Sequence, residues 1–415
     1  MKNIFLFIVV CLVGLSLFSQ QVSQESVVIN VEVPVRVFTG GRFVDNLTIE
    51  DFEIFEDGVS QKIEAVYLVN KRSIERSEEK RRFTPETKRN FYLFFELTEP
   101  NPKMEEAVTN FVQDNLYPGD DLTIVTPMKT YLLRGKALEV KSREEISAQL
   151  KGLIRRDTLI GNSEYNNTIR SLEGLARSLS ATIIQTLQAE EEEELMFQQM
   201  DEFFQEEFTR RSVDEQLQIY YDLLMKLENI RRVDENQMFK LAEFLKNKDG
   251  QKYVYMFYQK EYVPQVDPNI LNQYITMMQD RPDIVQTVSS LFDFFRRDVS
   301  FDVEGVKQAF ADSSVAIHFL YITTPAQRMA GVYMNEQSED IFGPFREMSR
   351  ATGGYSESSA NPDFLFQQAV EASDNYYLLY YSPQSYTSDG KFKNIRVRIK
   401  DKNYRITHRL GYFAN

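Results

Sequence analysis

Tryptophan is absent, and cysteine occurs once, at Cys11, inside an apolar segment near the amino terminus. If that segment is removed, the mature chain holds no thiol, which excludes disulfides, thiolate metal sites and cysteine nucleophiles. Histidine is nearly as scarce. Only His318 and His408 occur, so a hydrolase triad or an imidazole acid–base pair has little to draw on. His318 lies within Ala316-Ile317-His318-Phe319-Leu320 and reads as a satisfied core residue, whereas His408 sits among charges and reads as exposed. A basic surplus is also missing. The chain has 48 Lys and Arg against 62 Asp and Glu, a net charge of −14, and that balance argues against nonspecific binding to nucleic acid or anionic lipid. The sequence shows no Gly-rich phosphate loop, clustered metal-ligand spacing or Ser-x-x-Lys pair. Glu96 and Glu99 could form a glycosidase-type carboxylate pair, but such pairs arise by chance in so acidic a chain. An enzyme is not expected.

What the chain does have is length and aromatics: 415 residues with 31 Phe and 22 Tyr, enough for two or three domains with cores of their own. Met1-Lys2-Asn3 is a short basic segment, residues 4–18 are apolar apart from Gly14 and Ser16, and Ser19-Gln20-Gln21 turns polar. This is the layout of a secretory signal peptide over residues 1–20, too short for a comfortable transmembrane helix. Cys11 falls inside the apolar core rather than after it, so lipidation is not expected. The expectation is a protein exported through the inner membrane, periplasmic or extracellular, with no membrane span in the mature chain.

The organising stretch is Asn90-Phe91-Tyr92-Leu93-Phe94-Phe95-Glu96, followed by Leu97-Thr98-Glu99-Pro100-Asn101. An apolar run that breaks into turn chemistry predicts a strand buried on both faces, and open α/β sheets place ligand sites at the carboxyl ends of such strands. Before it, residues 27–70 alternate as a small antiparallel β unit: Ile29, Val31, Val33, Val35 and Val37 share a face, Pro34 suggests an edge strand, and Asp57-Gly58 signals a hairpin. Residues 71–89 read as a charged, solvated linker. Residues 90–381 alternate strands with helices and predict a doubly wound, largely parallel α/β sheet. A helical insertion, residues 155–247, interrupts it, with an acidic run at Glu190–Glu194. Phe197, Met200, Phe204 and Phe208 form one heptad-like stripe in the insertion; Val213, Leu217, Tyr220, Leu224 and Leu227 form another. Tyr376–Tyr381 reads as a last strand of the sheet. Residues 389–415 read as a C-terminal hairpin, expected to pair with the N-terminal unit in one small β subdomain.

Val31-Glu32-Val33-Pro34-Val35-Arg36-Val37, Asp51-Phe52-Glu53-Ile54-Phe55-Glu56-Asp57-Gly58, Tyr376-Tyr377-Leu378-Leu379-Tyr380-Tyr381-Ser382-Pro383 and Arg409-Leu410-Gly411-Tyr412 together resemble exported von Willebrand factor A-related proteins of acidobacteria and relatives. The resemblance covers nearly the whole mature chain except the inserted helices. It implies a von Willebrand factor A-like sheet with a metal-ion-dependent adhesion site, built from an Asp-x-Ser-x-Ser loop after the first strand, a later Thr and a later Asp. Such a site holds a hard divalent cation, magnesium for example, in near-octahedral oxygens. In this chain Glu96 stands for the Asp and Thr98 for the first Ser, Pro100 offers no oxygen for the second, and Tyr258-Gln259-Lys260 replaces the later Asp. Glu96 and Thr98 are thus the candidate metal ligands of a vestigial site, and no cofactor is expected.

The function expected is that of a non-enzymatic protein-binding or adhesion-type module acting without a metal on a protein partner, not on nucleic acid. A scaffold component of a cell-envelope complex and a metal-dependent adhesion domain are the other readings kept open.

Overall fold

The computed structural model describes residues 29–188, 211–294, 301–400 and 403–415. The leader at 1–20, the acidic run at 190–194 and the stripe Phe197, Met200, Phe204 and Phe208 lie outside the described residues.

Two antiparallel sheets enclose one core. The first holds β1 (Val31–Thr39), β2 (Arg42–Phe43), β5 (Ile63–Asn70), β6 (Ser73–Glu79), β15 (Asn375–Tyr381) and β17 (Arg405–His408), in the order β17-β1-β15-β5-β6 with β2 beside β1. The second holds β3 (Phe52–Glu56), β4 (Val59–Gln61), β16 (Phe392–Ile399) and β18 (Gly411–Phe413), in the order β18-β16-β3-β4. Their alternating residues meet in one cluster, with Val31, Val33, Val35 and Val37 packed with Phe52, Ile54, Ile395, Val397 and Ile399. Asp57 and Gly58 both take positive φ, at 47° and 84°, the backbone of a two-residue hairpin turn between β3 and β4. β1 is interior, between β15 and β17. Pro34 is accommodated because β17 pairs only with Val35–Phe38, so the strand has a free side at the proline.

The third sheet holds β7 (Arg89–Glu96), β8 (Asp121–Val125), β9 (Thr130–Leu133), β10 (Gln251–Gln259), β12 (Val315–Ile322) and β14 (Ser356–Ser359), ordered β14-β12-β10-β7-β8-β9. On one face pack α1 (Pro102–Asn110), α2 (Arg143–Gly161) and α10 (Pro362–Asp374), through Met104, Ile146, Leu150, Phe366 and Val370. On the other pack α5 (Glu235–Lys246), α8 (Val303–Asp312) and α9 (Glu339–Ala351), through Leu245, Val306, Phe310, Phe345 and Met348. β7 is central and buried along most of its length, as the apolar run predicts.

A separate cluster joins α3 (Ser163–Gln188), α4 (Val213–Arg231), α6 (Pro268–Met277) and α7 (Pro282–Phe294) to a ribbon of β11 (Tyr262–Val266) and β13 (Val332–Glu336). Ser212 opens α4 with a reciprocal capping box to Glu215. Leu217, Tyr220, Leu224 and Leu227 are fully buried in this cluster, so this stripe is internal core.

The expected doubly wound, largely parallel sheet is corrected by this topology, whereas the expected pairing of the N-terminal β unit with the C-terminal strands is found, β1 with β17 and β3 with β16. The chain is mixed α/β with mostly antiparallel sheets. Among the described residues parallel pairing is confined to β14/β12, β12/β10, β10/β7 and β7/β8 of the one mixed sheet, and even there β9 runs antiparallel to β8. Tyr376–Tyr381 does not end that sheet; it pairs antiparallel with β1 and β5. An apolar run reports burial on two faces, and an interior antiparallel strand between two cores meets that condition as well as a parallel one does. Residues 71–89 are also not simply a linker, since β6 pairs with β5 along its length.

Candidate functional site

The loop after β7 lies at the carboxyl end of the parallel strands. Glu96, the last residue of β7, stands in register with Tyr258 of β10. Asn101 closes the loop by capping α1, its side chain accepting from the Lys103 and Met104 amides at 3.0 and 3.3 Å, with Pro102 opening the helix.

Three polar groups of this loop are engaged by nitrogen donors from other elements. Gln259 Nε2 donates to Glu99 Oε1 at 3.2 Å. Asn162 Nδ2 donates to the Leu97 carbonyl at 2.7 Å, and Asn166 Nδ2 to the Thr98 carbonyl at 3.0 Å. Both asparagines come from the junction of α2 and α3, so the inserted helices clasp the loop from above. Lys260, just past the end of β10, pairs instead with Glu336 at 2.8 Å.

Behind the loop, Arg231 at the end of α4 forms an ion pair with Glu261, both almost wholly buried, and also donates to the Gln337 carbonyl at 2.8 Å. Ser338 Oγ accepts from the Glu261 amide at 2.8 Å. Burial and the charge of Glu261 push the Tyr165 and Tyr258 hydroxyls well above the ordinary tyrosine range. The same two causes raise the Glu96 carboxyl. Glu96 keeps one face open to solvent although protein crowds it on its other sides.

The residues present do not compose an adhesion-type metal site. Glu96 and Thr98 are placed together, but the Leu97 and Thr98 carbonyls and the Glu99 carboxylate already receive N–H donors, and Gln259 brings a neutral amide, its Oε1 buried without a partner, where the adhesion-site motif has an Asp carboxylate. Among the described residues, no three His, Asp or Glu side chains stand in metal-holding geometry. What the arrangement can do is hold an inserted helical layer rigidly over the sheet.

His318 and Ser373 stand 3.0 Å apart and superficially resemble a catalytic pair. The hydrogen bonding argues otherwise. His318 Nδ1 accepts from the Tyr355 amide at 3.1 Å, so the neutral ring carries its proton on Nε2, facing Ser373 Oγ. Ser373 gives its own proton to the Ala369 carbonyl at 2.7 Å and accepts from Tyr255. The imidazole therefore has no lone pair aimed at the serine, and both groups are buried. His408 is half-buried rather than exposed: Nε2 accepts from the Val397 amide at 3.3 Å, and Nδ1 meets the Arg409 carbonyl at 2.8 Å.

The joint between α2 and the β8–β9 loop is polar inside and apolar outside. Asp157, buried, accepts from Thr126 at 2.9 Å and from Tyr131 at 2.7 Å, and Gly161 lies against Pro127 and Met128, where a side chain would collide. Met128, Leu159 and Ile160 remain exposed on this joint. Glu96, Thr98 and Gln259 were legible from the sequence as a group; Arg231, Glu261, Asn162 and Asn166 were not. The one available signal for the asparagines was Gly161-Asn162-Ser163, a helix stop followed by a helix start.

No helix among the described residues is long and apolar enough to cross a membrane. Compared with known proteins, the chain matches no family model, no curated protein and no solved structure.

Proposed function

We propose that the chain is an exported, non-enzymatic protein-binding module whose carboxyl-edge loop is a filled polar hub and whose partner docks on the apolar rim beside it. The observation that carries this reading is the grouping of Met128, Leu159 and Ile160, all exposed, at the joint that clasps the loop. Apolar side chains gathered at the rim of a polar hub favour a protein partner. With Glu96 and Glu99 exposed close by and a net charge of −14, the complementary surface is apolar with a basic border. Export rests on the leader, with the resemblance of the terminal motifs to exported von Willebrand factor A-related proteins in its support, and binding without a metal rests on the donors that engage the loop.

A scaffold role is the second reading, favoured by β9. This strand ends its sheet, pairs only with β8 and exposes Leu132, which suits strand addition by a partner. Among the remaining end strands, β6 carries Glu75, Arg76, Glu78 and Glu79, and charged edges resist such pairing.

The test compares wild type with a Leu159→Glu, Ile160→Glu double variant in cross-linking on intact cells, after fractionation. Loss of the cross-linked partner at an unchanged Tm supports rim docking. An unchanged cross-link refutes it, and a cross-link lost only on Leu132→Lys substitution favours strand addition. Recovery of the chain in the cytosol with its leader intact would sink the exported reading.

A further inference from the structure

The strongest unexplained feature lies at the opposite end of the mixed sheet, where it meets the antiparallel one. Arg36 from β1, Lys252 from the start of β10 and Arg409 from the segment after β17 line one small cavity, together with Gln251, Ser314 and Thr352. All three cationic side chains are more than nine-tenths buried. Burying a charge is costly unless an opposite charge or a full set of hydrogen bonds compensates it.

Neither compensation is complete. Among the described residues none of the three makes an ion pair; their recorded bonds go to main-chain carbonyls. Arg36 Nη1 donates to Gly353 at 3.4 Å, Lys252 Nζ to Lys248 at 3.2 Å and Arg409 Nη2 to Glu32 at 2.7 Å. Arg36 Nε and Arg409 Nε are buried without any acceptor. Glu32, the acidic group whose charge acts on both Lys252 and Arg409, has its carboxylate taken up by Tyr380 and by Gln251, the latter at 3.1 Å. The cations also press on one another: burial, and then the charge of Arg409, lower the Lys252 ammonium to about 8.

We infer that this cavity is a binding site for a single monatomic anion, chloride in the ordinary setting, shared by the two sheets. The charge of the walls calls for an anion, and the size of the space chooses which. The cavity is about 10 Å³, and roughly 10–15 Å³ on this measure admits one water-sized sphere. A halide is close to that size; sulfate, phosphate and carboxylates are not. Because Arg36 and Arg409 come from the antiparallel sheet and its following segment, and Lys252 from the mixed sheet, the ion would bridge the two, and its release would leave three buried like charges facing one another.

The test is the thermal stability of the full mature chain at constant ionic strength, exchanging sodium gluconate for sodium chloride, bromide or sulfate. The expected result is a Tm that rises along a saturable curve with chloride and bromide, whereas sulfate gives only the unsaturating, roughly linear rise of an excluded salt. Arg36→Met and, separately, Lys252→Met keep the packing length and remove one cation each; each is expected to weaken the apparent chloride affinity about tenfold or more. Bromide soaked into crystals should give an anomalous peak between Arg36, Lys252 and Arg409. A Tm indifferent to the choice of anion, or a chloride response undiminished in both variants, would overturn the proposal. So would a bromide-soaked crystal with no anomalous peak in the cavity, a result that can be read even if both variants fail to fold.

Discussion

Arg89 and Asp120 form a two-pronged ion pair sealed at the amino end of the central strand, with Nη2 at 2.5 Å from Oδ2 and Nε at 3.3 Å from Oδ1. Their side chains are 2% and 0% exposed, which places the pair beyond solvent screening. Arg89 also donates to the Asn115 carbonyl at 2.9 Å and lies 3.4 Å from Asp374, while Asp120 accepts from the Tyr117 amide at 2.9 Å. One contact thus ties β7 to the turn before β8 and to the end of α10. A buried pair need not add stability relative to an apolar pair, but losing one member strands the other. Asp120→Ala is expected to lower the unfolding free energy by about 3–5 kcal/mol in urea titration. A loss below about 1 kcal/mol would mean that water or the neighbouring Asp374 carboxylate compensates Arg89.

Asp157 offers a prediction in pH. Burial alone would raise its carboxyl, but hydrogen bonds from Tyr131, Arg156 and Thr126 outweigh burial and hold it below the ordinary range. A carboxyl with the lower pKa in the folded state contributes fully above the unfolded value of about 3.9 and loses its contribution as pH falls through the folded value. Asp157→Asn should therefore destabilise at pH 7, and the gap to wild type should narrow below about pH 4. Melting temperatures at the two pH values check this; a gap constant with pH would assign the effect to packing.

Several of these features could be read from residues alone, and the reasons others could not are physical. The β3–β4 hairpin follows from Asp57-Gly58, because few other residue pairs adopt two successive positive φ values. The Leu217, Tyr220, Leu224 and Leu227 stripe follows from helical spacing. β14 is Ser-Glu-Ser-Ser and β6 is mostly charged; both are strands because a neighbour offers its main chain, and no local pattern announces that. The direction of pairing of Tyr376–Tyr381 was equally hidden, since direction depends on the connection and the neighbours rather than on the run itself. At the candidate site the loop was legible and its clasp was not. Asn162 and Arg231 are helix-end residues whose partners lie 65 and 30 positions away.

His318 should impose an acid slope on stability. Burial, and then the charge of Arg36, hold its imidazole well below the ordinary histidine range. Burial also lowers His408. Below about pH 6.5 the unfolded chain takes up protons that the folded chain refuses, so stability falls with pH by up to about 1.4 kcal/mol per pH unit for each such histidine. Full stability is present above that pH, and the loss runs down toward the folded values. His318→Gln is expected to cost stability at every pH and to remove about half of the slope between pH 6.5 and 5.5. Urea titrations at those two pH values measure it. An unchanged slope would show that His318 is already protonated in the fold.

Asn162 tests the clasp over the central loop. Its Nδ2 bridges the Leu97 carbonyl at 2.7 Å and the Thr158 carbonyl at 2.9 Å, joining the end of β7 to the last turn of α2. Asn162→Ala leaves the Leu97 carbonyl without this partner, while Asn166 still holds Thr98. The expected cost is about 1–3 kcal/mol, that of a buried acceptor left unmade. The more telling readout is local. Amide exchange over residues 97–101 should quicken by more than the change in global stability explains, because opening of the loop would no longer require parting it from α2. Exchange that tracks global stability alone would mean that Gln259 and the Asn101 cap suffice to hold the loop.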